Sequence, residues 1–201
     1  MEIKNEEDLR HLYGWPKGRA KSKVLSQLEK HSRNFIDKSP FFVLCSYDRT
    51  GRADASPRGG KPGFVRVLDH NTLIVPDSKG NNRVDSLINI VETGRIGCLF
   101  LIPGIEETLR INGTAIISTQ KEYIDLFLKE RNPPKTCIVI SVDELFLHCA
   151  KALLRSELWN DTFKMARPEF PTMGRMLKEQ LGANGPEESQ EDMLKRYSRD
   201  L

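Results

Sequence analysis

From residue 41 to residue 149 the chain is written mainly in short β-branched and aromatic runs closed by turn signals. That spacing limits the fold more than any other feature. FFVLCSYD (41–48) ends in the turn DRTG and RADAS follows, so 41–56 reads as a hairpin. GFVRVLD is strand-like, HN turns the chain, and TLIVPD (72–77) predicts a short buried strand. RIGCLFLIP (95–103) pairs with ETLRINGTAIIS across GIE, and TCIVISVDELFLHC (136–149) is long and rich in β-branched residues. Two helical patterns interrupt, after the fourth and sixth strands. NRVDSLINIVE sets Val84, Leu87, Ile88 and Val91 on one face, and TQKEYIDLFLKE (119–130) opens with Thr119. Six to seven strands joined mostly as meanders predict a mainly β, α+β fold, an antiparallel barrel or sandwich decorated by helices. A doubly wound parallel sheet would need a regular strand–helix alternation, which the sequence lacks.

The flanks differ in character. NEEDLRHLYG offers an Asn cap, acids in the first turn and a Gly stop. KSKVLSQLEKHSRNFIDKS spaces Val24, Leu25, Leu28, His31, Phe35 and Ile36 helically. The expected division is a helical arm over 1–38, a β domain over 39–160 and a helical extension with a polar tail over 161–201. The last 17 residues show no apolar face, which predicts poor order.

Composition decides a few functional classes. Charged residues are 29% of the chain, yet 31 Lys and Arg against 28 Asp and Glu leave only +3. That is no electrostatic footprint for nucleic acid. No stretch approaches the ~20 apolar residues of a membrane span, nor is there an apolar signal region. The expected location is cytoplasmic. Cys45, Cys98 and Cys137 sit in apolar strand-like runs and, with Cys149, form no C-x-x-C pair, so buried free thiols are expected. The four histidines are scattered. The adjacent His148 and Cys149 would point to opposite faces of a strand, so no metal site is expected.

Two segments concentrate cations among backbone-permissive residues. SPRGGKPG carries Arg58 and Lys61. PDSKGNNRVDS carries Lys79 and Arg83 at a strand-to-helix junction, where free N–H groups and the helix dipole favour an anion. Either could be an ordinary solvated turn. On neighbouring strands, however, the two sets would collect at one barrel end, a repulsive arrangement without an anion to offset it. Trp159, near Arg155 and Ser156, suits a packed anchor or a flat polyanionic cofactor.

The combination of ADASPRGGKPGFVRVLDHNTLIVPDSKGNNRVDSLINI, GCLFLIPGIEETLRINGTA and HCAKALLRSELW resembles the pyridoxamine 5'-phosphate oxidase-related FMN-binding proteins, over about residues 40–180. The resemblance implies a split β-barrel and a homodimer with two FMN sites in its interface. It implies that Ser56, Arg58 and Lys61 line the flavin site, and that Val75, Pro76 and Asp77 follow the isoalloxazine and ribityl chain. Lys79, Asn82 and Arg83 would hold the phosphate, and Thr108 would contact the ring. Arg155, Ser156 and Trp159 would reach FMN from the partner subunit. Where pyridoxamine phosphate oxidases end in a basic strand that grips substrate phosphate, this chain has FPTMGRMLKEQLG and an acidic, polar tail, a departure that argues against pyridoxamine phosphate as substrate.

The expected function is therefore an FMN-dependent oxidoreductase acting on an unidentified small molecule, with no catalytic residue assigned. A non-catalytic flavin carrier or redox sensor is the alternative. A haem-binding split barrel, with His148 as axial ligand, is a third.

Overall fold

The computed structural model of the chain describes residues 2–200. Its strands are β1 (Phe41–Tyr47), β2 (Ala53–Gly59), β3 (Arg66–Val67), β4 (Thr72–Pro76), β5 (Arg95–Leu101), β6 (Thr108–Ser118) and β7 (Cys137–His148). Its helices are α1 (Glu6–Tyr13), α2 (Arg19–Ser22), α3 (Lys30–Lys38), α4 (Asp85–Thr93), α5 (Lys121–Ile124), α6 (Lys151–Ser156), α7 (Met173–Leu181) and α8 (Gln190–Tyr197). All seven strands join one antiparallel sheet in the order β2-β1-β5-β6-β7-β4-β3. The strands form one sheet rather than the two of a sandwich, and it is not closed: β2 and β3 stand at its two ends and do not pair.

Alternation along the strands fills the interior. Phe42 and Leu44 of β1, Ile96, Cys98 and Phe100 of β5, and Leu109 and Ile111 of β6 all point inward and are buried. Phe42 stacks on Phe100 at 4.7 Å and on Phe64 at 5.9 Å between ring centroids. Burial of one such side chain contributes about 1.5–3 kcal/mol. The long β6–β7 ribbon bends at a bulge, where Asn112 pairs with Glu144 but Gly113 pairs with Val142. There the backbones close up so far that a Cβ on Gly113 would lie 2.1 Å from the Ser141 carbonyl oxygen.

The N-terminal arm follows its signals and then departs from them. Asn5 Oδ1 accepts from the Asp8 amide at 2.8 Å, and α1 stops at Gly14 with φ 66°. The helix expected across Val24–Leu28 does not form. β4 covers β7 only as far as Ser141, and Leu25 covers the edge beyond, exchanging both backbone hydrogen bonds with Leu145. An exposed strand edge is satisfied this way, at the cost of local helix. Helix resumes at α3, whose N-cap Glu29 forms a reciprocal box with Ser32, and Leu28, Phe35 and Ile36 enter the main core.

Three further expectations are corrected. Of the apolar face expected in α4, Val84, Ile88 and Val91 are exposed (47%, 49% and 74%) and Leu87 packs against the core, while Ser86, Asn89 and Ile90 are buried. The cause is polar: Ser86 Oγ donates to Asp54 Oδ2 at 2.5 Å and Asn89 Nδ2 to Ser46 Oγ at 3.0 Å, clamping this face to the β1–β2 hairpin. The helix expected over 119–130 shrinks to α5 and a 3-10 turn, Asp125–Phe127, which drives Phe127 into a small core with Ile74, Cys137 and Val139. The polar tail forms α8, capped by Ser189 and anchored by buried Met193.

The four cysteines are free. Cys98 and Cys137 are buried, and burial pushes the Cys98 thiol well above the usual range. Burial, with the Asp77 charge, holds Cys137 up to about 11. Cys45, expected inside, is exposed because its neighbours Leu44 and Ser46 take the inward positions of β1. Exposed Cys149 has its pKa lowered, first by the Lys151 amide and then, against slight desolvation, by the Lys151 and Lys23 charges.

Gly113→Ala forces the β6–β7 bulge apart and costs about 1–3 kcal/mol of unfolding free energy in urea titration; a change under ~0.5 kcal/mol would show that the close approach is soft. Timed alkylation read by mass spectrometry should modify Cys149 first and Cys45 next, with Cys98 and Cys137 protected until unfolding. Early labelling of Cys98 would contradict its burial.

Candidate functional site

The two cation-bearing segments do not lie on neighbouring strands of the sheet. β2 is the free edge beside β1, whereas β4 lies between β7 and β3. They meet because the sheet rolls: Arg58 Nη1 of β2 donates to Asp77 Oδ1, just past β4, at 3.0 Å. Both side chains are largely withdrawn from water, with 18% and 23% exposure.

This seam holds an unusual pair of atoms. Among the described residues, only Arg58 Nε and Thr136 Oγ1 are buried side-chain polar atoms lacking a hydrogen-bond partner. Both belong to residues bonded to Asp77, since Arg58 meets its carboxylate and the Thr136 carbonyl accepts from its amide at 3.0 Å. Buried polar groups without partners are rare, and a guanidinium N–H can only donate. An acceptor brought to Arg58 Nε would satisfy that donor. Thr136 escaped the sequence reading; its only signal is its place between PPK and the first apolar residue of β7.

Next to the seam runs the loop into α4. Asn82 adopts φ 63°, a left-handed conformation Asn tolerates, and Asn81 Oδ1 accepts from the Arg83 amide at 3.1 Å. The cap of α4 is Val84, which has no side-chain acceptor, not Asn81 or Asn82. Lys79 and Arg83 are exposed, and each lies on a carboxylate: Lys79 Nζ meets Asp200 Oδ1 at 2.6 Å and Arg83 meets Asp85 at 3.1 Å. A Cβ on Gly80 would have no atom within 4 Å, so the loop leaves room beside its cations.

The remaining sequence candidates divide. Ser56 lies half-buried on β2, two residues from Arg58 and on the same face, and Lys61 is exposed in the following loop. Val75 is fully buried in the core, so its side chain supports the seam from beneath, while Pro76 leads into Asp77. Thr108 is buried at the start of β6, opposite His148. Its neighbour Leu109 shares a row with Phe100, Phe42 and Arg58, three strand spacings or about 14 Å across the sheet. Trp159 Nε1 donates to the Ile105 carbonyl at 2.9 Å, anchoring the segment after α6 to the β5–β6 turn. Arg155 and Ser156 are exposed on α6, and Ser156 Oγ donates to the Leu153 carbonyl. No hydrogen bond or ion pair among the described residues joins Thr108, Arg155, Ser156 and Trp159 to the Arg58–Asp77 seam.

His148, the one histidine considered as a ligand, packs on the Phe146 ring at 4.9 Å between centroids. Burial lowers its pKa, and the Lys23 and Arg110 charges lower it further. Among the described residues no group of three His, Cys, Asp or Glu side chains could hold a metal ion, and no helix is long and apolar enough to cross a membrane.

Two crystal structures of HupZ from Group A Streptococcus, one of them a histidine-to-alanine variant, share this fold. They are 22% and 20% identical, with TM-scores of 0.50 and 0.51, each over 60% of this chain and 93% or 98% of theirs. An FMN-binding protein from Syntrophomonas wolfei is 15% identical over 58% of this chain and 88% of its own, with a TM-score of 0.43. No curated protein matches. Residues 28–149, more than half the chain and the whole of its β-sheet, match the family described as pyridoxamine 5'-phosphate oxidase, and the chain therefore belongs to that family.

Proposed function

We propose that the chain is an FMN-binding oxidoreductase. The observation that carries this reading is the seam at Asp77, with Arg58 Nε and Thr136 Oγ1 buried and unpartnered. Family membership and the cation-bearing loop before α4 support the same ligand. An acceptor-rich ring and ribityl chain beside Arg58, Ser56, Lys61, Pro76, Asp77 and Thr136 would complete the orphaned donors. Lys79, Asn82 and Arg83, at the start of a helix lacking a side-chain cap, would take the phosphate. Bound FMN supplies the redox chemistry through its isoalloxazine ring. The residues described here hold and orient it and place positive charge beside it. The division into an arm over 1–38, a flavin domain over 39–160 and an extension over 161–201 is part of the same proposal.

A homodimer follows from the distribution of the candidates. Thr108, Arg155, Ser156 and Trp159 share no direct contact with the seam, so a site using both groups is best completed by a partner's copy. The exposed apolar face of α4, with Val84, Ile88 and Val91, is surface that association would bury.

Flavin fluorescence titration should show Arg58→Ala weakening FMN binding by roughly tenfold to a hundredfold and Thr136→Val by roughly twofold to tenfold. Lys79→Ala and Arg83→Ala should weaken FMN more than riboflavin; equal losses for both ligands would remove the phosphate assignment. Protein that quenches neither flavin, and gains no thermal stability from FMN, defeats the cofactor reading. At micromolar concentration the protein should sediment as a dimer, and a monomer that binds FMN tightly would refute the shared site. Reduction of bound FMN by NADH or NADPH, followed by turnover with an acceptor, separates the enzyme from a flavin carrier.

A further inference from the structure

The carboxylate on Lys79 comes from the far end of the chain. Asp200 lies just beyond α8 and reaches back to Lys79 Nζ at 2.6 Å. Two more bonds fasten the same stretch to the body: Arg131 Nη1 donates to the Ser198 carbonyl at 3.0 Å, and Asn132 Nδ2 to the Arg199 carbonyl at 3.5 Å. Both donors lie in the loop that leads into Thr136 and β7. Residues 198–200 therefore span the two loops that flank the Asp77 seam, one carrying Lys79 and the other Thr136.

The strap has a defined scaffold. Met193 is buried, Arg196 holds Glu188 by two bonds of 2.8 Å, and Glu188 packs so closely on α7 that a Cβ at Gly174 would lie 2.2 Å from its carbonyl oxygen. By contrast, the contacts of 198–200 with the body are exposed and include two bonds to backbone carbonyls and the Lys79–Asp200 ion pair. Exposed pairs contribute little, about 0.2–1 kcal/mol, and are easily exchanged for a better anion. A phosphate dianion offers Lys79 more charge and more acceptors than one carboxylate.

We propose that the segment 198–200 is an internal competitor for the anion site: Asp200 occupies Lys79 when no phosphate is bound, and a phosphate-bearing ligand displaces it, freeing α8 from the loop. This rests on the assignment of Lys79 to phosphate. Riboflavin, which lacks the phosphate, would enter the seam without moving the strap.

The test compares the full-length chain with Asp200→Asn and Asp200→Lys, titrated with FMN and with riboflavin, and follows hydrogen exchange over 190–200. Asp200→Asn should tighten FMN by about twofold to fivefold, the range of one exposed pair. Asp200→Lys should tighten it at least as much, and riboflavin affinity should stay constant across all three proteins. Exchange in 190–200 should rise with FMN and not with riboflavin. FMN affinity unchanged or weakened by both substitutions, or slower exchange in the tail on FMN binding, overturns the competition while leaving the flavin reading intact. If all three proteins ignore both flavins, the flavin reading and the competition fall together.

Discussion

The Arg58–Asp77 pair sits where the sheet meets itself without a hydrogen-bond ladder. A fully closed barrel would satisfy both edges with backbone bonds, and its ends would offer few polar groups to a ligand. Here the roll stops short, so side chains finish it: an aromatic stack through Phe64, Phe42 and Phe100 inside, and an ion pair at the rim. Placing a guanidinium there has a chemical consequence. Asp77 occupies one donor, Nη1, at 3.0 Å, while Nε stays buried and unmatched. The same residue that spans the split also leaves a donor that a ligand acceptor would satisfy.

The part of β7 that β4 leaves uncovered is handled differently. β7 outruns β4, and Leu25 supplies the missing backbone partners at Leu145 while Lys23 donates to the Leu147 carbonyl at 2.7 Å. The arm thus behaves as a short substitute strand. It covers hydrogen-bonding groups distant from the seam, leaving the Arg58–Asp77 rim as the polar gap in the roll.

Much of this was legible in the sequence, for identifiable reasons. Strand alternation and turn residues placed the β1–β2 hairpin and the β5–β6 pair because those contacts are local and their periods distinct. Arg58, Lys79 and Arg83 could be singled out because they concentrate beside Gly, Pro and Asn at a strand exit and a helix entry, where an anion can be met. What the sequence could not carry were contacts between distant segments. Apolar spacing in α4 grouped Val84, Leu87, Ile88 and Val91, of which Leu87 packs on the core, whereas Asp54 and Ser46, more than 30 residues upstream, captured Ser86 and Asn89. Leu25 lost its helix to Leu145, and Thr136 matters only because the fold sets it against Asp77. β2 and β4 are not neighbours in the sheet, yet Arg58 and Asp77 meet, since rolling brings together strands that do not pair.

The clamp on α4 also bears on how the site holds its shape. Asp54 lies on β2 with Ser56 and Arg58 on the same face, and its carboxylate accepts from Ser86 in the first turn of α4. The strand that carries the seam arginine is thereby tied to the helix whose entry loop carries Lys79 and Arg83. Because this bond and the Asn89–Ser46 bond are shielded from water, breaking either would leave polar groups buried without partners, a cost of about 1–3 kcal/mol each. The spacing between Arg58 and the start of α4 is therefore stiffly held, while the loop from Ser78 to Arg83 is exposed and held to the rest of the protein mainly by surface ion pairs. On the proposed assignment, a rigid seam beside an exposed cationic loop would preorganise ring and ribityl recognition and leave the loop to meet the phosphate.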